Sequence, residues 1–239
     1  DPETRLTVIG ALGGQYIFKP PSEKFPEMPA NEHVTMRIAE SFGIRTVPSS
    51  LIRLASGELS YITKRVDRTK TGEKIHMIDM FQITEAYDKY KSSMEKIGKA
   101  LHDYSGNTQL DKIFFFDLVL FSFLTGNNDM HLKNFSLIET MPGSQIHVLS
   151  AAYDMLPTNI VIPEDTEQLA LTLNGKKSNL KKDDFMAFAD ACGILLNSAE
   201  KMIRMVADMR PAYLSMCRES FLPEEMKEAL GKLIIERMI

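Results

Sequence analysis

Hydrophobic positions change period once along the chain, and that change divides it. In the first quarter, short apolar runs are bounded by turn residues. Leu6 to Ile9 and Gln15 to Phe18 flank Gly10-Ala11-Leu12-Gly13-Gly14, which reads as a hairpin turned by glycines. Lys19 ends the second strand, and Pro20-Pro21 stops it. A loop carrying Pro26 and Pro29 leads to Asn31, an N-cap for a helix from His33 to Phe42. In that helix Val34, Ile38 and Phe42 recur one turn apart, and Gly43 marks its stop. Ser49 to Leu54 and Leu59 to Val66 read as strands around the turn Ala55-Ser56-Gly57-Glu58. Beyond about residue 75 the period becomes helical, over 77–84, 91–103 and 109–125. The last is so apolar that burial all round is expected. Two short strands, Phe135 to Glu139 and Gln145 to Leu149, interrupt the helices around the turn Met141-Pro142-Gly143-Ser144. Helices return over 183–191, 198–216 and 223–238. The second opens on Asn197 and Glu200 as a capping box, and the third has Pro223 in its first turn. The expected class is α+β, with a small β-rich lobe over residues 1–70 and a larger helical lobe over 71–239.

Composition narrows the function classes. The 239 residues suit one large domain or two fused lobes, and 44% hydrophobic with 25% charged residues is ordinary globular usage. Lys plus Arg total 28 against 32 for Asp plus Glu, a net charge of −4, so direct nucleic-acid binding is not expected. Cys192 and Cys217 lack metal-site or redox spacing and read as buried thiols of a reducing cytoplasm. The longest apolar run, Ile113 to Leu124, contains Asp117 and is too short to span a bilayer, so no membrane association is expected.

The chemistry concentrates where the apolar helix ends, in Gly126-Asn127-Asn128-Asp129-Met130-His131-Leu132-Lys133-Asn134. Ending a helix needs a glycine and one polar residue, not this density of functional groups. Asp129 and Asn134 stand in the D-x-x-x-x-N spacing of protein-kinase catalytic loops. Phosphoryl transfer requires a carboxylate near the attacking hydroxyl and a metal-binding oxygen close by on the same loop. Lys133 can set a cation beside the moving phosphoryl group, and His131 can orient the loop or take part in it. Asp154, in Ala151-Ala152-Tyr153-Asp154-Met155, supplies the second oxygen ligand that magnesium wants. Lys19, at a strand end, supplies a cation for nucleotide phosphates. Lys, Asp, Asn and Asp therefore occur in kinase order.

Taken together, these segments resemble the HipA-like serine/threonine kinases, toxins of bacterial toxin–antitoxin pairs. Gly126 to Ser136 is similar to their catalytic signature, and Tyr16-Ile17-Phe18-Lys19-Pro20 to the strand with the ATP lysine. Phe25-Pro26-Glu27-Met28-Pro29-Ala30-Asn31-Glu32 resembles the loop entering the first helix. Ile62-Thr63-Lys64-Arg65-Val66-Asp67-Arg68 looks like the hinge strand, with Val66 in place of the usual aromatic. Ala152-Tyr153-Asp154 resembles the second metal motif, and Leu173-Asn174-Gly175-Lys176 a segment of the larger lobe.

The resemblance implies a two-lobed protein-kinase-like fold with ATP and Mg2+ in the cleft. It implies that Lys19 binds phosphates, paired with Glu32, and that Lys64 and Val66 offer hinge backbone to adenine. Asp67 would reach the nucleotide, Asp129 would act as base, and Asn134 and Asp154 would hold the metal. It further implies an aminoacyl-tRNA synthetase as protein substrate and a small DNA-binding antitoxin as partner. The family's phosphate loop would precede the first strand, and the N-terminal subdomain of longer members has no counterpart here, as in the short, HipT-like members. For those members the missing piece is a separate small protein, a second possible partner. Two alternatives stay open: a pseudokinase-like binding module in a repressor complex, and a small-molecule phosphotransferase.

Overall fold

The computed structural model describes residues 6–8, 14–25 and 27–239. The proposed hairpin glycines Gly10 to Gly13, together with Ile9, lie outside the described residues. Strands β1 (Leu6–Val8), β2 (Tyr16–Lys19), β3 (Ser49–Arg53) and β4 (Leu59–Lys64) form an antiparallel sheet in the order β1-β2-β4-β3. Its register sets Tyr16 opposite Lys64 and Lys19 opposite Tyr61. Helix α1 (Met28–Phe42) packs on this sheet, and its Val34, Met36 and Ile38 are all buried.

Helix α1 starts earlier than the Asn31 cap predicts. Pro29 occupies its first turn, where the missing N–H costs nothing and the fixed φ is pre-set for helix. Asn31 is thus an interior helical residue, fully buried. Gly43 ends the helix in the left-handed conformation, as expected.

The predicted helix over 77–84 is also corrected. Met77–Asp79 forms strand β5, and only Met80–Ile83 is helical (α2). Asp79 makes the break: its carboxylate accepts from Gln82 N at 2.8 Å, while Gln82 reaches back to its N–H. Strand β5 pairs with β6 (Ser136–Glu139), which pairs with β7 (His147–Leu149). Strand β7 begins later than predicted because Gln145 is held at φ 57° in the turn.

Helices α3 (Met94–Tyr104) and α4 (Thr108–Thr125) follow the sequence reading closely. From Leu118 onward α4 is buried on every side, but Ile113 and Leu110 remain exposed and Asp117 half-buried. The expectation of burial all round therefore holds for its second half alone. A short helix α5 (Thr158–Val161) had no sequence signal, and α6 spans Lys182–Ala191.

The helix predicted over 198–216 is two helices, α7 (Leu196–Asp208) and α8 (Arg210–Glu219), broken at Met209. Pro211 in the first turn of α8 cannot donate to a continuous ladder. Nor does the Asn197–Glu200 capping box form: Leu195 caps α7, and Glu200 pairs with Lys182 and Arg204. Helix α9 (Glu224–Glu236) closes the chain. Cys192 and Cys217 are free and buried, and burial pushes their thiols up to about 12 and about 11. No helix among the described residues is long and apolar enough to cross a membrane.

Candidate active site

Residues of both sheets line a cleft of about 430 Å³. Ile17, Val47 and Met77 give it apolar lining, and residues 63–68, Ser136 and Tyr153 line it as well. Lys19, Lys64, Val66, Asp67, Lys133 and Asp154, all singled out from sequence, line it too.

Lys19, on its lining, is ion-paired with two carboxylates. Its ammonium donates to both oxygens of Glu32, at 2.7 and 2.8 Å, and to Asp154 Oδ1 at 2.5 Å. An ammonium has three donors, so all are engaged. Burial works against its charge, but the two carboxylates outweigh that and hold its pKa above the ordinary lysine value. Strand β2 delivers Lys19, α1 delivers the buried Glu32, and the segment after β7 delivers Asp154. Three separate parts of the chain thus meet in one ion cluster. Asp154 holds φ at 58°, a conformation that non-glycine residues rarely adopt and that clusters at functional sites.

At the hinge, Lys64 donates its backbone N–H to Pro48 O at 2.8 Å, so its amide proton is engaged and only its carbonyl remains for a ligand. Among the described residues, neither the N–H nor the carbonyl of Val66 has a backbone partner. Asp67 is gripped by Arg65 at 2.8 and 2.6 Å and by Arg68 at 2.6 Å. Burial raises the Asp67 carboxyl, and the two guanidiniums overcome this to leave it below the usual range. Its carboxylate therefore serves first to arrange two cations at the cleft rim.

The loop after α4 is held from several directions. Gly126 ends α4 in the left-handed conformation, and a Cβ there would overlap Leu233 Cδ2 of α9. Arg237, just past α9, donates to Phe123 O at 2.8 Å and to Asn159 Oδ1 at 2.7 Å. It thus adds a charged donor to a carbonyl at the end of α4 that also accepts from Gly126 N at 3.3 Å. Neither Arg237 nor Asn159 was flagged from sequence; no local pattern marks a residue whose role is to cap a distant helix.

Within the loop, Asn134 donates Nδ2 to Asp129 O at 2.9 Å, so the two residues of the D-x-x-x-x-N pair are in contact. Asp129 Oδ1 accepts from the Tyr90 hydroxyl at 2.7 Å, a contact with no sequence signal. His131 is buried, its Nδ1 has no hydrogen-bond partner among the described residues, and burial lowers its pKa, which favours the neutral ring. It forms a wall of the loop, with Tyr90 edge-on against it. Lys133 is exposed, its ammonium 4.9 Å from the Phe81 ring centroid. Tyr153 ties the two loops together, donating to Lys133 O at 3.1 Å and sharing a 2.6 Å bond with Ser136 Oγ.

The donor set suits magnesium. Asp154 and Asn134 offer hard oxygens, and among the described residues no group of three His, Cys, Asp or Glu could hold a metal by itself. Hard oxygens of this kind are what Mg2+ takes, together with water and substrate phosphates.

The HipA-like C-terminal domain family matches residues 4–214. The chain is 26% identical over 254 residues to a Haemophilus influenzae protein named "Putative kinase", covering 94% of this chain and 74% of that one. It is 33% identical over 192 residues to Y4dM of Sinorhizobium fredii, covering 74% of this chain and 46% of that protein. Shewanella oneidensis HipA, solved with HipB and operator DNA, superposes with a TM-score of 0.78 at 19% identity, covering 94% of this chain and 57% of HipA. The Helicobacter pylori proinflammatory kinase CtkA superposes with a TM-score of 0.64 at 17% identity, covering 98% of this chain and 88% of CtkA. The chain thus spans about half the length of several relatives and nearly all of CtkA. On the extent of the family match and the shared fold, the chain belongs to the HipA-like C-terminal domain family and has a kinase-like fold.

Proposed function

We propose that this chain is the catalytic part of an ATP- and magnesium-dependent protein serine/threonine kinase, its lobes being residues 1–70 and 71–239. The observation that carries the reading is the Lys19–Glu32–Asp154 cluster, whose Lys19 and Asp154 line the cleft. Charge supports it. The chain is net negative, yet six cations (Lys19, Lys64, Arg65, Arg68, Lys74, Lys133) and three carboxylates (Asp67, Asp79, Asp154) line the cleft. A net positive cleft on an acidic protein suits a polyphosphate.

Each residue then has a task. Val66 offers its free peptide to the adenine edge. Glu32 fixes Lys19, and Asp154, facing the cleft, is the partner able to release it, which frees an N–H for a phosphate oxygen. Asp129 takes the proton of the acceptor hydroxyl. Lys133, on the exposed rim, neutralises charge on the moving group. Magnesium, held by Asp154 and Asn134, would neutralise phosphate charge.

The toxin role, an aminoacyl-tRNA synthetase as acceptor, an antitoxin partner carrying the DNA contact, a separate N-subdomain-like partner and a cytoplasmic site of action follow from the family resemblance and belong to the same proposal. Calorimetric titration with ATP tests the core of it. Binding is expected to require Mg2+ in the wild type and to be lost in Asp154→Ala and Lys19→Ala. Equal affinity with and without Mg2+ would contradict the assignment.

A further inference from the structure

The candidate base is gripped from outside its own loop. Asn134 Nδ2 and His131 N hold the backbone carbonyl of Asp129, at 2.9 and 2.8 Å. Its carboxylate is met by Tyr90, 39 residues earlier in the chain, whose hydroxyl donates to Oδ1. Tyr90 belongs to the connection between α2 and α3, and this connection is itself docked. Leu132 N donates to Lys89 O at 3.2 Å, Tyr90 N to Asp88 Oδ1 at 2.9 Å, and Thr172 N to Ser92 O at 3.3 Å. The Tyr90 ring stands edge-on to His131, centroids 5.1 Å apart, and the Lys89 ammonium lies 4.9 Å from its centroid. Backbone bonds on both sides of Tyr90 and two ring contacts therefore fix where its hydroxyl points.

Such a bond matters because a carboxylate at the end of a rotatable side chain samples many orientations, while proton abstraction tolerates few. Holding one oxygen halves the problem: the other is left to the acceptor hydroxyl. We infer that Tyr90 is a positioning residue for phosphoryl transfer, its hydroxyl holding Asp129 Oδ1 so that Oδ2 takes the proton. This rests on the kinase reading above. The opposite role, a plug occupying the place of the acceptor, is chemically conceivable for the same bond. However, the connection is tied down by its own backbone, as a fixed support would be.

The test compares wild type, Tyr90→Phe, Tyr90→Leu and Asp129→Ala in three measurements: MgATP affinity, the initial rate of label transfer from γ-labelled ATP to proteins of a host lysate, and amide exchange of residues 84–92. Phenylalanine keeps the ring on His131 and removes only the hydroxyl. Tyr90→Phe is expected to lower the transfer rate about tenfold or more at saturating MgATP while leaving MgATP affinity within about twofold. Exchange over 84–92 should quicken in Tyr90→Phe and in Asp129→Ala alike, since each removes the same bond from one side. Transfer by Tyr90→Phe at the wild-type rate, with loss only in Tyr90→Leu, would reduce the residue to packing and overturn the inference. A faster Tyr90→Phe would overturn it in favour of the plug. Unchanged exchange in both variants would show that the bond holds nothing. Absence of transfer by the wild type would strike the kinase reading itself, a result distinguishable from these because the exchange arm does not depend on activity.

Discussion

Helix α4 and the loop that follows it are buried to a similar degree and built from opposite materials. In α4, Phe115, Phe116, Phe121 and Phe123 are at most 1% exposed, and burial of such side chains stabilises the larger lobe directly. In the loop, Asn127, Asn128, His131 and Asn134 are buried as well, although burying an amide or imidazole costs free energy unless it is hydrogen-bonded. Among the described residues, neither side-chain atom of Asn127 has a hydrogen-bond partner, nor does His131 Nδ1. Folding alone gives no reason for such a loop at the end of an apolar helix. The helix is there for stability, and the loop is a costly insertion held in shape by the helix end, by Arg237 and by Tyr153.

Substitutions can separate the two roles. The largest effect is expected on activity, not stability. Asp129→Asn should cut phosphate transfer by about three orders of magnitude while thermal unfolding changes by no more than about 1 kcal/mol. Gly126→Ala sits at the junction and should damage both. A side chain there is strained at φ 75° and meets Leu233, so a loss of about 2–4 kcal/mol is expected by chemical denaturation. Arg237→Ala should cost about 2 kcal/mol, since Phe123 O and Asn159 Oδ1 lose a charged donor.

The smallest effect concerns α4 itself and depends on pH. Burial pushes Asp117 up to about 7, well above its unfolded value near 4. Between those values the unfolded chain loses a proton that the folded chain keeps. Stability from this group is therefore whole at low pH and declines as pH rises to about 7. Asp117→Asn should be about 1 kcal/mol more stable than wild type at pH 8, the exposed side of Asp117 having been allowed for, and the gap should close by pH 4. Parallel melting curves of the two proteins across that range would contradict it.

Much of this was legible from sequence, for reasons that differ by region. The four strands of the first sheet, α4 and the Gly43 and Gly126 stops follow from period and turn chemistry, which are local. Lys19, Asp129, Asn134 and Asp154 could be picked out because their residue types and order suit phosphoryl transfer, and the fold brings Lys19 to Asp154 and Asp129 to Asn134. What escaped is non-local or competitive. Asp79 competes with the helical period of 77–84 by capping a shorter helix, and Pro211 splits a helix whose apolar stripe runs straight through. Asn31 has the chemistry of a cap but lies inside a helix that Pro29 starts earlier. Tyr90 and Arg237 act on residues 39 and 114 positions away, and no spacing rule reaches that far.

The central claim is that the cleft transfers phosphate with Asp129 as base. The most direct measurement is transfer of label from γ-labelled ATP to proteins of a host lysate, comparing wild type, Asp129→Asn and wild type without Mg2+. The expected result is a discrete labelled protein with the wild type and Mg2+, absent in the other two. Labelling that persists in Asp129→Asn, or no labelling by a wild-type chain that binds MgATP, would contradict it.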